Sequence, residues 1–302
     1  MKIVLTGSLG HIGKPLAKML VGKGHMVLVI SSTSSRREEI EALGAKSLIG
    51  KMEDKEFLIQ AFKGADVVYT MMAVNAYTGA YSDQSLDVDA KHLEIATNYA
   101  FAIQESGVNK VIHLSTIGAH RGTGVGLLNP HSDVENILSQ LSSNVHIKFI
   151  RPVGFYYNML AFIPTIKSSG AIFQNYGGNE KEPWVSPLDI AEAIAEEMDK
   201  PFDGTTIRYV ASDEVSPNQI AKVLGESIGE PELSWVSISD EQFLKGLIDV
   251  GINPQIAKGL TEMNVSRVNG LLYEDYFRNK PELGKVKLMD FAKEFAKVYA
   301  QK

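Results

Sequence analysis

Short apolar runs alternate with longer amphipathic stretches through the first half of this 302-residue chain. The runs at 3–5, 26–30, 46–49, 66–72, 110–114 and 146–150 predict six strands. The run at 66–72 is apolar enough to be buried on both faces. The stretches at 14–24, 36–43, 55–62, 87–106 and 130–141 predict helices, three of them stopped by Gly44, Gly64 and Gly107. Asn129 is the expected N-cap of the helix that opens at Pro130. Strands separated by such helices form βαβ units, and so a parallel sheet with right-handed crossovers.

Beyond Arg151 the alternation loosens. Ser186-Pro187-Leu188-Asp189 and Ser216-Pro217-Asn218-Gln219 read as capping-box helix starts. Strands are predicted at 207–210 and 234–238, and helices at 241–251, 254–259 and 286–300. The expected fold is α/β, a Rossmann-type doubly wound parallel sheet with a smaller, mostly helical substrate lobe. Residues 1–154 would form the nucleotide-binding domain, and 155–302 would complete the sheet and build the lobe from 155–172 and 231–281. The simpler alternative is that these segments only cap the sheet.

The first strand runs straight into Gly7-Ser8-Leu9-Gly10-His11-Ile12-Gly13, and a helix follows. Strand, glycine turn and helix are the context of a dinucleotide-binding loop. Gly7 permits the tight turn, Gly10 lets the backbone approach a pyrophosphate, and Gly13 lets the helix pack close to the strand. Ser8, His11 and Ile12 share the loop and are candidate cofactor contacts, and the free N–H groups at the helix start would hold the phosphates.

The residues after the second strand bear on which nucleotide binds. A carboxylate at the end of that strand would bond the ribose 2′-hydroxyl of NAD, and none stands there. Instead the chain reads Ser31-Ser32-Thr33-Ser34-Ser35-Arg36-Arg37. Hydroxyls at Ser31 and Ser32 with guanidiniums at Arg36 and Arg37 suit a 2′-phosphate, so NADP(H) is favoured over NAD(H). A solvated loop and helix start is the alternative. Lys51-Met52-Glu53-Asp54 would flank the adenine. Met71, Met72 and Ala73, at the carboxyl end of the fourth strand, would border the cofactor, as would Ser115 and Thr116 after the fifth.

Composition narrows the classes. With no cysteine, disulfides, thiolate catalysis and Cys-ligated zinc are excluded, and no His/Asp cluster has metal-ligand spacing. Net charge is −6 and no basic cluster exceeds Arg36-Arg37, which disfavours direct nucleic-acid binding. The longest apolar stretch, 153–166, contains Asn158 and Pro164 and is too short to span a bilayer. The first strand leaves no room for a signal peptide, so a cytoplasmic protein without membrane association is expected, with room for a homodimer. No Gly-x-Ser-x-Gly elbow supports hydrolase chemistry.

Together these residues resemble the NmrA-like group of atypical short-chain dehydrogenases/reductases. The resemblance is carried by the glycine loop, the basic segment after strand two, and Val111-Ile112-His113-Leu114-Ser115-Thr116. It extends to Arg151-Pro152-Val153-Gly154-Phe155-Tyr156-Tyr157-Asn158 and Val185-Ser186-Pro187-Leu188-Asp189-Ile190-Ala191, and so covers nearly the whole chain. It implies quinone or dye reduction with NADPH, or redox sensing through bound NADP without turnover. It also brings Pro152 and Phe155 to the cofactor. The broader family carries Tyr-x-x-x-Lys on the helix after strand five, where this chain has His131-Ser132-Asp133-Val134-Glu135. Helical spacing keeps His131 and Glu135 on one face, where the carboxylate would raise the proton affinity of the imidazole.

The expected function is therefore NADPH-dependent reduction of quinones or similar planar electrophiles by hydride transfer. His131, Tyr156 and Ser115 are the candidate catalytic residues, and Tyr77, Tyr81 and Tyr157 line the substrate site. Plainer roles stand beside these: core packing for each aromatic, a strand-end cap for Ser115, and an inert first-turn residue for His131. A non-catalytic NADP(H) sensor is the competing class. A sugar-nucleotide epimerase or dehydratase ranks last, because it relies on the missing Tyr/Lys pair.

Overall fold

The computed structural model describes residues 1–72 and 81–301. The first half alternates β1 (Lys2–Leu5), α1 (Gly13–Gly22), β2 (Met26–Ser31), α2 (Arg37–Ala42), β3 (Lys46–Ile49), α3 (Lys55–Phe62), β4 (Val67–Met71), α4 (Val88–Ser106), β5 (Lys110–Leu114), α5 (Pro130–Ser139) and β6 (His146–Pro152). All six expected strands and five expected helices are present.

The second half contains β7 (Gly154–Phe155), α6 (Ile163–Ser169), β8 (Ala171–Gln174), β9 (Glu182–Val185), α7 (Pro187–Asp199), β10 (Thr205–Val210), β11 (Asp213–Val215) and α8 (Pro217–Ile228). It ends with β12 (Ser234–Ser237), α9 (Asp240–Asp249), α10 (Pro254–Val268), α11 (Glu274–Arg278) and α12 (Leu288–Gln301). The strands β7 and β11, of two and three residues, are too short to produce a readable alternation.

The central sheet has the strand order β10-β6-β5-β4-β1-β2-β3, and all its pairings are parallel. Side-chain alternation explains why helices cover both faces. Ile3, Leu5, Val67 and Tyr69 pack with Leu16 and Leu20 of α1 and Ile190 and Ile194 of α7. Val4 and Val68 point the other way, against Leu58 and Phe62 of α3, Ile95 and Tyr99 of α4, and Val134 and Leu138 of α5. The strand order reverses between β1 and β4, which opens a crevice at their carboxyl ends.

β10 comes from the second half and completes the sheet beside β6. The rest of that half packs around a separate aromatic core of Tyr156, Trp184, Trp235, Phe291 and Phe295. Two small sheets, β11-β9-β7 and β12-β8, frame it.

Caps deviate from expectation in two places. Asn129 adopts helical backbone angles, and its side chain accepts from the Val125 N–H (3.0 Å) instead of capping α5. Ser216 and Gln219 close a full capping box, but Asp189 does not reach back to Ser186. Asp189 instead accepts from the backbone N–H groups of Lys285 (3.1 Å) and Val286 (3.0 Å), anchoring the segment before α12.

Candidate functional site

The glycine loop lies at the β1/β4 reversal. Gly7 has φ +84°, and a Cβ there would meet the Met71 Sδ at 2.5 Å. Ser8 is also left-handed (φ +59°), and its hydroxyl donates to Ser31 Oγ (3.0 Å), which ties the loop to the end of β2. At Gly13 a Cβ would stand 2.2 Å from the Ser8 carbonyl oxygen, so the approach of α1 to the loop requires glycine. Gly10 differs: a Cβ there would meet nothing closer than the Gly7 carbonyl oxygen at 3.9 Å. Internal packing leaves room for a side chain at Gly10, and that open space is what a pyrophosphate would use. α1 starts without a side-chain cap; the Lys14 N–H is taken by the Gly10 carbonyl (3.1 Å) and Pro15 has none, so in the first turn the Gly13 N–H is the donor left to an anion. The loop therefore fits a dinucleotide.

At the β2 side, Ser31 is buried, with its hydroxyl also accepting from the Thr33 N–H (3.2 Å), while Ser32 is exposed. Arg36 and Arg37 are half exposed. Arg36 is paired with Glu39 (2.5 Å), and Lys14 of α1 reaches the same carboxylate at 2.9 Å. Arg37 lies 3.8 Å from Glu41. Lys14 and Glu39 escaped the sequence reading because 25 positions separate them and neither flanks the end of β2.

The other side of the crevice is built from the ends of β4, β5 and β6. Met71 is half buried against Gly7, whereas Met72 is buried in the layer beneath α3 and α4. Ala73 and Tyr77 lie outside the described residues. The Ser115 and Ile117 N–H groups donate to Ile150 (2.8 Å) and Pro152 (2.9 Å), extending the β5/β6 pairing past its last rung, and Thr116 is half buried. Phe155 and Tyr157 follow β6, with ring centroids 5.2 Å apart. Tyr157 stacks on His11 at 4.4 Å and 15°, which places it against the glycine loop. Burial raises its phenol's proton affinity, with Tyr81 contributing. Tyr81 is half buried and packs with Val88, Leu127 and Ile256.

Two candidate catalytic residues occupy other surroundings. Tyr156 is 1% exposed and stacks on Phe291 (5.4 Å) inside the lobe core, so its ring cannot touch a substrate in the crevice. Burial first, then Asp213, Asp189 and Asp290, push its ionisation upward. Adjacent residues thus take opposite sides: the phenol of Tyr156 turns into the lobe, and that of Tyr157 turns to the loop.

His131 is also buried, edge-on to His92 at 5.0 Å. The expected upward shift of its proton affinity is overturned. Burial, then His92 and His113, hold it well below the usual histidine range. Glu135 does not charge it because that carboxylate is already engaged. It accepts Arg151 Nε (2.9 Å), Arg151 Nη2 (2.5 Å) and the Ser115 hydroxyl (2.5 Å). Arg151 continues to Tyr209 (3.1 Å) and Asp275 (3.1 Å). The register Leu114↔Ile150 puts Ser115 beside Arg151, and a buried strand arginine demands an acid from the helix above. That signal could have revealed the pair from sequence.

A cleft of about 650 Å³ along β10, lined by Glu192, Ile207, Arg208, Asp275 and Lys285 among others, includes none of the expected site residues. Among the described residues no cluster of three or more His, Asp or Glu side chains could hold a metal ion, and no helix is long and apolar enough to cross a membrane.

The NmrA-like family model matches residues 1–274. The chain is 25% identical over 267 residues to phenylcoumaran benzylic ether reductase 1 of Arabidopsis thaliana, covering 82% of this chain and 81% of that protein. A 4-hydroxy-2-methyl-3-oxo-4-farnesyl-3,4-dihydroquinoline-1-oxide ketoreductase of Stigmatella aurantiaca is 28% identical over 116 residues; that match covers 38% of this chain and only 34% of the ketoreductase. An NADPH-dependent quinone oxidoreductase of Escherichia coli, solved with NADPH, shares the fold with a TM-score of 0.79 at 19% identity, covering 97% of this chain and 99% of that one. The chain belongs to the NmrA-like family.

Proposed function

We propose that this chain is a reductase that takes NADPH in preference to NADH and reduces quinones or similar planar electrophiles. The observation that carries this reading is the aromatic wall of His11, Tyr157 and Phe155 standing directly on a glycine loop that has open space at Gly10. Bound NADPH would supply the hydride. The chain's own residues would bind and orient. Gly7, Gly10 and Gly13 give the backbone its approach to the pyrophosphate. Arg36 and Arg37 recognise the 2′-phosphate through planar guanidiniums. Tyr157 and Phe155 exclude water and offer a flat surface to a flat acceptor.

Ser115 contributes in one direction only. Its hydroxyl hydrogen goes to Glu135, so toward the crevice the oxygen accepts. With Tyr156 in the lobe core and His131 held neutral on the buried face of α5, the proton that completes reduction comes from water. Quinones suit this arrangement, because the reduced oxygen needs no strong acid. The same shortage of a protein acid favours a second reading, an NADP(H) sensor that binds without turnover.

The test is NADPH oxidation by the purified protein against a panel of small quinones, with NADH in parallel. Rapid turnover preferring NADPH supports the reductase. Tight NADPH binding without turnover on any quinone would favour the sensor.

A further inference from the structure

We propose that Glu39 sets the discrimination between 2′-phosphate and 2′-hydroxyl nucleotides by acting as a built-in counter-ion to Lys14 and Arg36. The inference rests on the reading above that the adenosine end of a nucleotide lies at the end of β2. Sequence alone finds no acid there, since 31–37 holds only hydroxyls and arginines. The fold brings one in. A short 3-10 turn, Ser34–Arg36, leads into α2, and Glu39 stands in the first turn of that helix. One of its oxygens takes Arg36 (2.5 Å) and the other takes Lys14 (2.9 Å), which projects from the start of α1. A single carboxylate thus bridges the two secondary elements that flank the phosphate-binding side of the crevice.

The three side chains are solvent-accessible, at 54% for Lys14, 50% for Arg36 and 34% for Glu39, so a ligand can reach them. Lys14 is held first, and Arg36 second, in lowering the proton affinity of Glu39, which keeps it charged at neutral pH.

This geometry has a consequence for ligand choice. A 2′-phosphate brings close to two negative charges to a place where a carboxylate already pairs with both cations and offsets one of their two charges. It must displace Glu39 from at least one of them and then sit near its charge. A 2′-hydroxyl carries no charge, and it can donate to the carboxylate where it stands. Glu39 therefore lowers the affinity for NADPH and leaves NADH nearly untouched. Without it, Lys14 and Arg36 would form an uncompensated pair, and selectivity for the phosphate would sharpen. Lys14 becomes a second phosphate ligand alongside Arg36.

The experiment is calorimetric titration of NADPH, NADH and 2′,5′-ADP into the wild-type protein, Glu39→Gln and Lys14→Met. Exposed ion pairs are individually weak, so Glu39→Gln should tighten NADPH and 2′,5′-ADP by about three- to tenfold, with NADH within about twofold of wild type. Lys14→Met should weaken the two phosphorylated ligands and spare NADH. The gain in Glu39→Gln should shrink when ionic strength is raised, as exposed charges are screened. Unchanged or weakened NADPH affinity in Glu39→Gln, with wild-type protein binding NADPH normally, overturns the role of Glu39 alone. Wild-type protein that binds neither nucleotide overturns the nucleotide reading and this inference together.

Discussion

The two walls of the crevice are built on different principles. The glycine loop works through backbone: its shape comes from left-handed angles at Gly7 and Ser8 and from a helix that can approach only because residue 13 lacks a Cβ. The wall at the ends of β5 and β6 works through side chains, and most of its polar groups bond to one another. Ser115, Glu135, Arg151, Tyr209 and Asp275 form one connected set. A backbone site announces itself by residue type and spacing, because the turn at Gly7 and the close helix approach at Gly13 demand glycine. A side-chain site depends on burial and partners, which spacing does not reveal.

That contrast can be broken, and the largest effect should come from Gly13→Val. Its new Cβ meets a backbone oxygen that cannot swing away, so we expect loss of NADPH binding together with a stability loss of about 3 kcal/mol or more by chemical denaturation. Separating the buried pair on the other wall is next. Arg151→Met leaves Glu135 buried and uncompensated, which should cost about 3–5 kcal/mol, while Arg151→Met with Glu135→Leu should recover most of it. Equal instability of the single and double variants would show that the pair does not act as a unit.

The buried histidines give a pH signature. His131, His92 and His113 are all shifted downward by burial, His113 to about 3. Their folded forms hold protons more weakly than the unfolded chain, whose histidines titrate near the ordinary value. Stability from these groups is therefore complete above about 6.5 and is lost as pH falls toward 3. Melting temperature should drop between pH 7.5 and pH 5, and less steeply in His131→Gln. An identical slope in that variant would remove His131 from this account.

Smaller effects sharpen the same comparison. Arg36→Ala with Arg37→Ala should weaken NADPH by about tenfold or more while changing NADH little; equal losses would sink the 2′-phosphate assignment. Tyr156→Phe should leave quinone turnover unchanged, since its hydroxyl is buried in the lobe without a hydrogen-bond partner among the described residues, and should stabilise by up to about 1 kcal/mol. Tyr157→Ala should reduce turnover instead, because it removes the ring stacked on His11.

The sheet was readable from the sequence because six apolar runs and their intervening helices each carry a strong local period. β3, α3 and β5 begin and end where the pattern places them. The lobe was harder to read: β7 has two residues and β11 three, and neither can display an alternation. Asn129 had the right residue type for a cap and a different partner, Val125, because the preceding 3-10 turn keeps its backbone helical. Tyr156 and Tyr157 are indistinguishable by type; only the path of the chain after β7 decides which ring faces the loop. Glu135 and His131 were correctly placed on one face of α5, but Arg151 from the next strand claims the carboxylate first.

The most direct test of the central claim is NADPH titration into wild-type protein and Gly10→Val, with melting temperature measured on both. Gly10 has room for a side chain in the protein itself, so the account predicts equal melting temperatures and an NADPH affinity reduced by about a hundredfold or more in the variant, through loss of backbone contact with the pyrophosphate. Equal affinity in the two proteins would contradict the assignment of the loop and, with it, the reductase reading.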